Sequence, residues 1–243
     1  MNDKRTSAEL PFWELVREDF RTVLENDPAI NSKWELFFNY PGLRALFWHR
    51  IAHRLYKKGW KRLARIIMGL VQMNTSIDIH PEAVIGRRVF IDHGMGVVIG
   101  QTAIVGDDVT IYQGVTLGGV SLNKGKRHPT IENGVVIGAG AKVLGNITVG
   151  EGSKIGANSV VIKNVPPDST AVGIPARIIA KGMDRSPKSQ EKLPDIDAVM
   201  LKYLIERLRL LEEAVATGNT ELFNKDQELE ANYEIFIKTI ENR

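Results

Sequence analysis

The sequence predicts an α+β protein with an N-terminal α-helical domain, a parallel β-helix of hexapeptide repeats and a C-terminal helical extension. An amphipathic pattern opens the chain, a six-residue period runs through its middle, and apolar residues spaced three and four apart follow near its end. A period of six fits neither an α-helix, with about 3.6 residues per turn, nor a strand that alternates every two residues. It is typical of a triangular coil in which each face contributes one inward-pointing side chain.

The N-terminal domain, residues 1–70, is predicted to consist of helices. Residues 8–26 place apolar side chains among charged ones at the spacing of an amphipathic helix. Asp27 suits the cap of a new helix whose first position is Pro28, and another helix is expected over 33–39. The chain is therefore expected to open with several short helices.

A basic helix is predicted over residues 44–66. No Asp or Glu occurs between Leu36 and Ile77, whereas apolar residues and lysines or arginines recur there at helical spacing. Such a pattern fits binding to an anionic membrane surface or to nucleic acid. It fits better a solvated basic face opposite an apolar packing face, so we expect neither a membrane nor a nucleic acid as partner.

The β-helix domain is predicted over residues 71–180. Fourteen six-residue steps each begin with an aliphatic or small apolar side chain. These positions are Met73, Ile79, Ile85, Ile91, Val97, Ala103, Val109, Val115, Ile131, Ile137, Val143, Val149, Ile155 and Val161. Because three faces complete one coil, residues three steps apart should stack about 4.8 Å above one another.

A loop is predicted at residues 119–130. The step from Val115 to Ile131 is sixteen residues long, which is not a multiple of six, so the chain must leave the coil between them. Interruptions of a regular scaffold are common positions for functional residues. We therefore expect part of the functional site on this loop.

The pattern changes twice after the last repeat. Residues 181–194 are rich in charged residues and proline and are predicted to be a linker. Residues 195–243 are predicted to be helical and to form a hairpin or oligomer contacts, since two short heptad-like series occur there. The first series is Leu201, Leu204, Leu208, Leu211 and Val215, and the second is Leu229, Tyr233, Phe236 and Ile240.

Composition excludes several kinds of protein. The chain has no cysteine, so disulfides and thiolate metal sites are excluded. Residues 1–11 are mostly polar and no uncharged apolar run is long enough to cross a bilayer, so a cytoplasmic location is expected. His80, His93 and His128 are not closely spaced, which argues against a zinc site, and no metal is expected.

His93 is the strongest candidate for acid–base chemistry. It stands between Asp92 and Gly94 at a predicted corner of the coil, where an imidazole would face solvent. Asp78 lies fifteen residues earlier, close to one coil away. It could accept a hydrogen bond from one ring nitrogen and leave the other as a base. The alternative is that His93 only fills a corner, and spacing alone does not decide between the two.

Six motifs in this order resemble the serine O-acetyltransferase family. They are DIHP at 78–81, IDH at 91–93, VTLGG at 115–119, RHP at 127–129, IGAGAKVLGN at 137–146 and GIPA at 173–176. The resemblance covers about residues 27–181 and implies that the β-helix is left-handed. It also implies transfer of an acetyl group from acetyl-CoA to the hydroxyl of L-serine, a step of cysteine biosynthesis.

The resemblance assigns the acid–base roles. His93 is implied as the general base that removes the proton of the serine hydroxyl, with Asp78 holding the imidazole in the required tautomer. Backbone N–H groups near Gly118 and Gly119 are implied donors to the tetrahedral oxyanion.

Substrate-binding residues are implied in the same way. Arg127 and His128 would bind the carboxylate of serine, for which a guanidinium offers a planar fork. Asp92 and Asp27 would bind its ammonium group, although a capping role alone would also explain Asp27.

The resemblance further implies a CoA groove between neighbouring β-helices. Gly119, Ala139 and Ala157 occupy positions at which the family lines the pantetheine arm, although small residues would also suit tight corners. A groove between two copies requires association, so a homotrimer is implied. The N-terminal helical domain is shorter than in enterobacterial members of the family, which leaves open whether two trimers pair.

Two further partners follow from the resemblance. Cysteine is expected as a feedback inhibitor, because it matches serine in every group except the thiol. A complex with O-acetylserine sulfhydrylase is not expected, since the printed chain ends in Arg243 where docking members end in isoleucine. Gln101 stands where the family commonly has Glu, so one charge near the site is expected to be missing.

Two alternatives remain open. One is a related acyltransferase with another acceptor, such as a sugar, although Arg127 favours an acceptor with a free carboxylate. The other is a non-catalytic scaffold whose terminal helices bind a partner. A scaffold does not require Asp78, His93, Arg127 and His128 in these motifs.

Overall fold

The computed structural model describes residues 10–30, 32, 34–181 and 196–217 of the 243-residue chain. The chain forms two compact units, residues 1–187 and 188–243. Except for Lys181, which ends the last strand, the predicted linker at 181–194 lies outside the described residues, as does the second apolar series of the C-terminal extension.

Four helices open the described part of the chain: α1 (Phe12–Asn26), α2 (Glu35–Phe38), α3 (Pro41–Lys57) and α4 (Lys61–Thr75). The helix start expected at Pro28 is wrong, because α1 ends just before Asp27 and no helix follows until α2. The single basic helix expected over 44–66 is in fact α3 and α4. Gly59, with a φ of 90°, allows the sharp change of direction between them.

A buried ion pair connects α1, α3 and the first coil of the β-helix. Nη2 of Arg50 lies 3.1 Å from Oδ1 of Asp19, and both side chains are almost fully buried. Arg50 also donates hydrogen bonds to the carbonyl oxygens of Ile85 (2.6 Å) and Gly86 (2.7 Å). Part of the basic pattern therefore stabilises the interior and does not face solvent.

The rest of the first unit is a left-handed parallel β-helix with three faces. Face 1 holds β1 (Asp78–Ile79), β4 (Val98–Ile99), β7 (Thr116–Gly118), β10 (Lys142–Leu144) and β13 (Val160–Val161). Face 2 holds β2 (Val84–Ile85), β5 (Ile104–Val105), β8 (Thr130–Ile131) and β11 (Thr148–Val149). Face 3 holds β3 (Phe90–Ile91), β6 (Thr110–Ile111), β9 (Val136–Ile137), β12 (Lys154–Ile155), β14 (Ser169–Gly173) and β15 (Ala176–Lys181), the last antiparallel to β14.

The inward positions of the repeats form one continuous aliphatic core. Thirteen of the fourteen predicted positions, from Ile79 to Val161, are at most 3% exposed. Met73 is the exception: it lies in α4 and is 76% exposed, so its assignment to the coil is wrong. The loop predicted at 119–130 does leave the coil, between β7 and β8.

The coil is not strictly periodic even before the loop, because its first complete turn has two residues more than the second. Asp78 of β1 stands opposite Val98 of β4, twenty residues later, whereas Val98 stands opposite Thr116, eighteen residues later. The two extra residues lie in the turn between β3 and β4. After this turn, Ile99 and the residues at the same strand position in later repeats point inward. Val97 and the residues two positions before each of them lie in the turns between strands. Both sets are buried, so the six-residue pattern conceals the shift.

The front helices are attached to the coil at β3. A Cβ on Gly42, near the start of α3, would overlap the carbonyl oxygen of Ile91, so this position requires glycine. Phe90 packs with Val23 of α1 and Leu43 of α3 in a small apolar cluster. This attachment places the segment between α1 and α3 beside the turn that follows β3.

The described part of the second unit is one helix, α5 (Ile196–Thr217). Three residues of the first apolar series, Leu204, Leu208 and Val215, have exposed side chains on it. Within the described residues, no helix combines the length and apolar character needed to cross a membrane.

Candidate active site

His93 lies in the lengthened turn between β3 and β4. Its side chain is exposed, and its φ of 54° falls in the left-handed region that residues other than glycine rarely adopt. A Cβ on the neighbouring Gly94 would lie 2.6 Å from Cδ1 of Ile77, so the inner side of the turn is tightly packed. Arg88, Asp108 and Asn158 adopt a similar φ in other turns, so the backbone conformation belongs to the coil, and what distinguishes this turn is that it presents an imidazole outward.

Asp27 lies close enough to His93 for their charges to interact, and Tyr40 holds it there. The Tyr40 hydroxyl donates a 2.6 Å hydrogen bond to Oδ2 of Asp27, and the backbone N–H of Ala29 donates to Oδ1 at 2.8 Å. These two bonds, assisted by the charge of His93, lower the pKa of Asp27 despite partial burial. Asp27 is thus a fixed carboxylate at the end of α1 and not the cap of a following helix.

Asp92 adds a second carboxylate to the same region. It is half-buried, and its charge contributes to the raised pKa of both Tyr40 and Tyr112, for which burial is the largest cause. Sequence reasoning did not identify Tyr40, because its link to Asp27 depends on the docking of α3 onto β3. The structure thus brings Asp27, Asp92 and His93 to one region beside the turn between β3 and β4.

Asp78 occupies β1 beneath the strand that follows the His93 turn. Its backbone N–H donates to the carbonyl oxygen of Val97 at 2.9 Å. The charge of Asp78 acts on His80, raising its pKa, although burial and Arg65 make the net change a lowering. Within the described residues, no hydrogen bond joins Asp78 to His93 in the single chain.

Arg127 and His128 are held by Thr102 at a different turn, between β4 and β5. Oγ1 of Thr102 accepts hydrogen bonds from the backbone N–H groups of Arg127 (3.0 Å) and His128 (3.2 Å). The His128 ring packs so closely over Gly100 that a Cβ there would overlap it. The end of the loop is therefore anchored to the coil although residues 119–126 are exposed. Thr102 was not identified from the sequence, since it belongs to no recognisable motif.

The surroundings of His128 determine its tautomer. The backbone N–H of Thr102 donates to Nδ1 at 3.2 Å, and its hydroxyl lies 2.9 Å from the same nitrogen. Because Nδ1 accepts, Nε2 carries the proton of the neutral ring. Burial, followed by the charges of Arg127 and Lys126, lowers the pKa of His128. The neutral ring therefore offers a hydrogen-bond donor, Nε2–H, which lies 3.2 Å from the position of a Cβ on Gly119.

Ala139 and Ala157 lie on the same edge of the coil as His93. The turns between faces 3 and 1 are stacked through backbone hydrogen bonds, from Gly114 to Met95 (2.9 Å), from Gly140 to Gln113 (2.8 Å) and from Asn158 to Ala139 (2.8 Å). Ala157 is exposed and Ala139 half-buried. Ala139 and Ala157 thus continue a column of positions that begins with Met95 and Gln113, and their small side chains leave room for an extended ligand.

The predicted site residues fall on two edges of the coil. His93, Asp92, Ala139 and Ala157 lie at the edge between faces 3 and 1, with Asp27 beside them. Arg127, His128 and Gly119 lie at the edge between faces 1 and 2. One face of the coil separates the two sets within a chain. Within the described residues, no group of three or more His, Cys, Asp and Glu side chains is arranged to hold a metal ion.

Residues 128–163 match the family model described as bacterial transferase hexapeptide (six repeats). Over 202 residues the chain is 50% identical to a serine acetyltransferase of Synechococcus elongatus, with 83% of each chain covered.

Solved structures give the same result. The chain resembles Neisseria gonorrhoeae serine acetyltransferase in complex with serine, at 43% identity and a TM-score of 0.67, covering 70% of this chain and 69% of that one. It also resembles a Brucella abortus serine acetyltransferase in complex with coenzyme A, at 45% identity and a TM-score of 0.69, covering 72% and 70%.

Proposed function

The chain belongs to the serine acetyltransferase family, and we propose that His93 is the general base of its reaction. The enzyme transfers the acetyl group of acetyl-CoA to the hydroxyl of L-serine, giving O-acetyl-L-serine and CoA. A serine hydroxyl is a weak nucleophile, so a positioned base is required. The observation that carries the proposal is the exposed His93 imidazole in the turn between β3 and β4, close enough to the Asp27 carboxylate for their charges to interact.

The proton of the serine hydroxyl is transferred to His93 and then to CoA as the acetyl group changes partner. His93 removes the proton of the serine hydroxyl as its oxygen bonds to the thioester carbonyl carbon, giving a tetrahedral oxyanion. When the oxyanion collapses, the carbon–sulfur bond breaks and the imidazolium returns the proton to the sulfur of CoA. The reaction is thus balanced with neutral His93 restored. The backbone near Gly119 is the proposed donor to the oxyanion, since Gly119 has no side chain of its own to cover its N–H group.

Asp78 is proposed to orient His93. Its support is its place on β1, directly beneath the strand that leaves the His93 turn. A carboxylate bonded to one ring nitrogen would fix the tautomer and stabilise the imidazolium. Asp27, whose charge already interacts with His93, would stabilise the same cation from the other side.

Serine is proposed to bind between oppositely charged groups. Asp27 and Asp92 would bind its ammonium group, and both lie beside the His93 turn. Arg127 and the Nε2–H of His128 would bind its carboxylate. This arrangement selects an α-amino acid with a short hydroxyl side chain. It would also accept cysteine, which is therefore the proposed feedback inhibitor.

A homotrimer is the proposed functional unit. The base and the carboxylate-binding residues lie on opposite edges of face 1 within one chain, so a neighbouring copy would bring the two edges together. The same groove would hold the pantetheine arm of CoA along Ala139 and Ala157, with Gly119 near its thioester end. A dimer of trimers is compatible with this arrangement, and a cytoplasmic location suits an enzyme of amino-acid biosynthesis.

A thiol-release assay with acetyl-CoA and L-serine tests the catalytic proposal. We expect His93→Ala to lower kcat about a hundredfold or more, as for loss of a general base. Met95→Ala, an exposed neighbour in the same turn, is the matched control and should keep near wild-type turnover. Melting temperature and subunit association should be the same for both variants.

Undiminished turnover in His93→Ala would overturn the role of this residue. A sugar or another amino acid accepted in place of serine would instead favour the related acyltransferase with a different acceptor. Absence of transfer with every acceptor would favour the scaffold alternative.

A further inference from the structure

A chain of side-chain hydrogen bonds connects Arg127 on the loop to helix α3. Nη2 of Arg127 donates to Oε1 of Gln101 at 3.0 Å. Nε2 of Gln101 donates to Oε2 of Glu82 at 2.7 Å, and the hydroxyl of Tyr56 donates to the same oxygen at 2.8 Å. Four side chains from the loop, two turns of the coil and α3 thus form one network.

The amide of Gln101 links the two ends of this network, because it accepts from Arg127 and donates to Glu82. Its oxygen meets a guanidinium, which can only donate, and its nitrogen meets a carboxylate, which can only accept when ionised. Burial would raise the pKa of Glu82, but the bonds from Gln101 and Tyr56, with the charges of His80 and Lys61, lower it overall. A carboxylate at position 101 would face the Glu82 carboxylate at hydrogen-bond distance.

Glu82 is held from several sides. Its backbone N–H donates to Nδ1 of His80 at 3.0 Å. The ring of Tyr56, which binds its carboxylate, is itself packed between His80, at 5.8 Å, and the ammonium group of Lys61, at 5.3 Å. The anchor at the far end of the network is therefore rigid.

Arg127, at the near end, lies on a loop that gives it little other support. Its second side-chain bond, from Nη1 to the carbonyl oxygen of Asn123, is long at 3.4 Å, and Asn123 is exposed. An arginine side chain that is not held loses rotamer freedom when it binds a ligand, which weakens binding. The bond to Gln101 reduces that loss and leaves donors of the guanidinium for a carboxylate.

We propose that Gln101 and Glu82 are positioning residues that hold the Arg127 guanidinium in place for the carboxylate of serine. This inference rests on the proposed role of Arg127 in binding serine. It also corrects the expectation that Gln101 leaves the site with one charge fewer, since Glu82 supplies a carboxylate one hydrogen bond away. Tyr56 extends the support to α3, so the front helices help to position the substrate-binding loop.

A double-mutant cycle that exchanges the amide of Gln101 and the carboxylate of Glu82 tests the inference. Gln101→Glu alone places two carboxylates against each other and should raise the KM for serine about tenfold or more, as expected for a disrupted charged hydrogen bond. Glu82→Gln alone keeps an acceptor and should raise it less than about threefold. The double variant, with Glu at 101 and Gln at 82, restores a donor–acceptor match and should return the KM for serine to within about threefold of wild type.

Two further measurements separate positioning from general damage. The KM for acetyl-CoA and kcat should change less than about twofold in every member of the cycle, and melting temperatures should stay close to wild type. Gln72→Glu, which makes the same change at an exposed position of α4, is the matched control and should leave every parameter unchanged.

Arg127→Ala distinguishes the two ways in which the inference can fail. If Arg127→Ala leaves the KM for serine unchanged, the proposed role of Arg127 is wrong, and the positioning role falls with it. If Arg127→Ala raises the KM for serine but Gln101→Glu does not, or the double variant shows no recovery, the positioning role alone is overturned.

Discussion

The Tyr40 hydroxyl donates a 2.6 Å hydrogen bond to the carboxylate of Asp27, thirteen residues earlier in the chain. The bond joins the end of α1 to the start of α3, which packs on β3 through Gly42. It therefore places a carboxylate from the front helices beside the His93 turn of the coil. The proposed serine site is thus shared between the two structural parts of the first unit.

Replacing Tyr40 with Phe should weaken serine binding. The substitution removes the largest cause of the lowered Asp27 pKa and leaves the carboxylate less well oriented. Loss of about 1 kcal/mol corresponds to a rise of about fivefold in the KM for serine. The KM for acetyl-CoA should not change. Steady-state kinetics with each substrate varied in turn measures both values.

Tyr112→Phe is the control for this prediction. Burial is the main cause of the raised pKa of Tyr112, which interacts with Asp92 through charge. An equal rise in the KM for serine in both variants would show that the Tyr40–Asp27 bond is not responsible.

Removing the hydroxyl of Thr102 should disturb Arg127 and His128 together. Oγ1 of Thr102 accepts both of their backbone N–H groups and contacts Nδ1 of His128. Thr102→Val should raise the KM for serine about tenfold, since buried donors lose their partner. Thr102→Ser, which keeps the hydroxyl, should stay within about threefold of wild type. Similar kinetics for the Val and Ser variants would contradict the role of the hydroxyl.

Mixing two variants that are each impaired at low serine concentration tests whether the site is shared between copies. If His93 of one copy works with Arg127 of its neighbour, trimers that mix His93→Ala and Arg127→Ala chains contain some intact sites. Random mixing should restore about a quarter of wild-type activity, because one pairing in four leaves both residues intact. The chains are mixed in mild denaturant, reassembled and assayed. Activity no higher than that of the separate variants would place both residues of a working site in one chain.

His49 should make the fold less stable in mild acid. It is fully buried, and neither ring nitrogen forms a hydrogen bond of normal geometry. Burial, together with the charges of Arg50 and His53, lowers its pKa well below 6.5. The unfolded chain therefore binds a proton that the folded chain does not as pH falls through about 6.5. The free energy of unfolding therefore falls as the pH drops below about 6.5. This residue contributes a loss of up to about 1.4 kcal/mol per pH unit.

His49→Leu should flatten the pH dependence of unfolding. Urea denaturation between about pH 5 and 8 measures the free energy of unfolding of both proteins. The variant should lose less stability than wild type on acidification, and His49→Gln serves if the leucine does not pack. An unchanged slope in both variants would show that His49 is not a source of the acid sensitivity.

The lengthened turn at His93 shows where sequence reasoning was incomplete. The six-residue pattern continues through it, because the residues that fill the turns are as apolar as those that fill the strands. The strand pairings show that two residues are inserted, since Asp78 stands opposite Val98 and Phe90 opposite Thr110. The extra length and the positive φ that accompanies it could not be predicted from a pattern of apolar side chains.

The surroundings of Gln101 in the proposed site could not be predicted from the sequence either. At the level of sequence, the residue is only an amide in place of an acid, and a lost charge is the natural expectation. Glu82 is nineteen residues away in the chain and lies in no recognised motif. Its contact with Gln101 arises because consecutive coils stack, which brings residues of neighbouring turns into register.

The β-helix and its motif residues could be predicted from the sequence, because one inward aliphatic side chain per face is a local requirement repeated many times. The groups that surround those residues depend on how separate elements pack together. Docking of α3 on β3 brings Tyr40 and Asp27 to His93, and stacking of the coil brings Glu82 and Gln101 to Arg127. These contacts join residues from separate elements, so no local pattern of side chains encodes them.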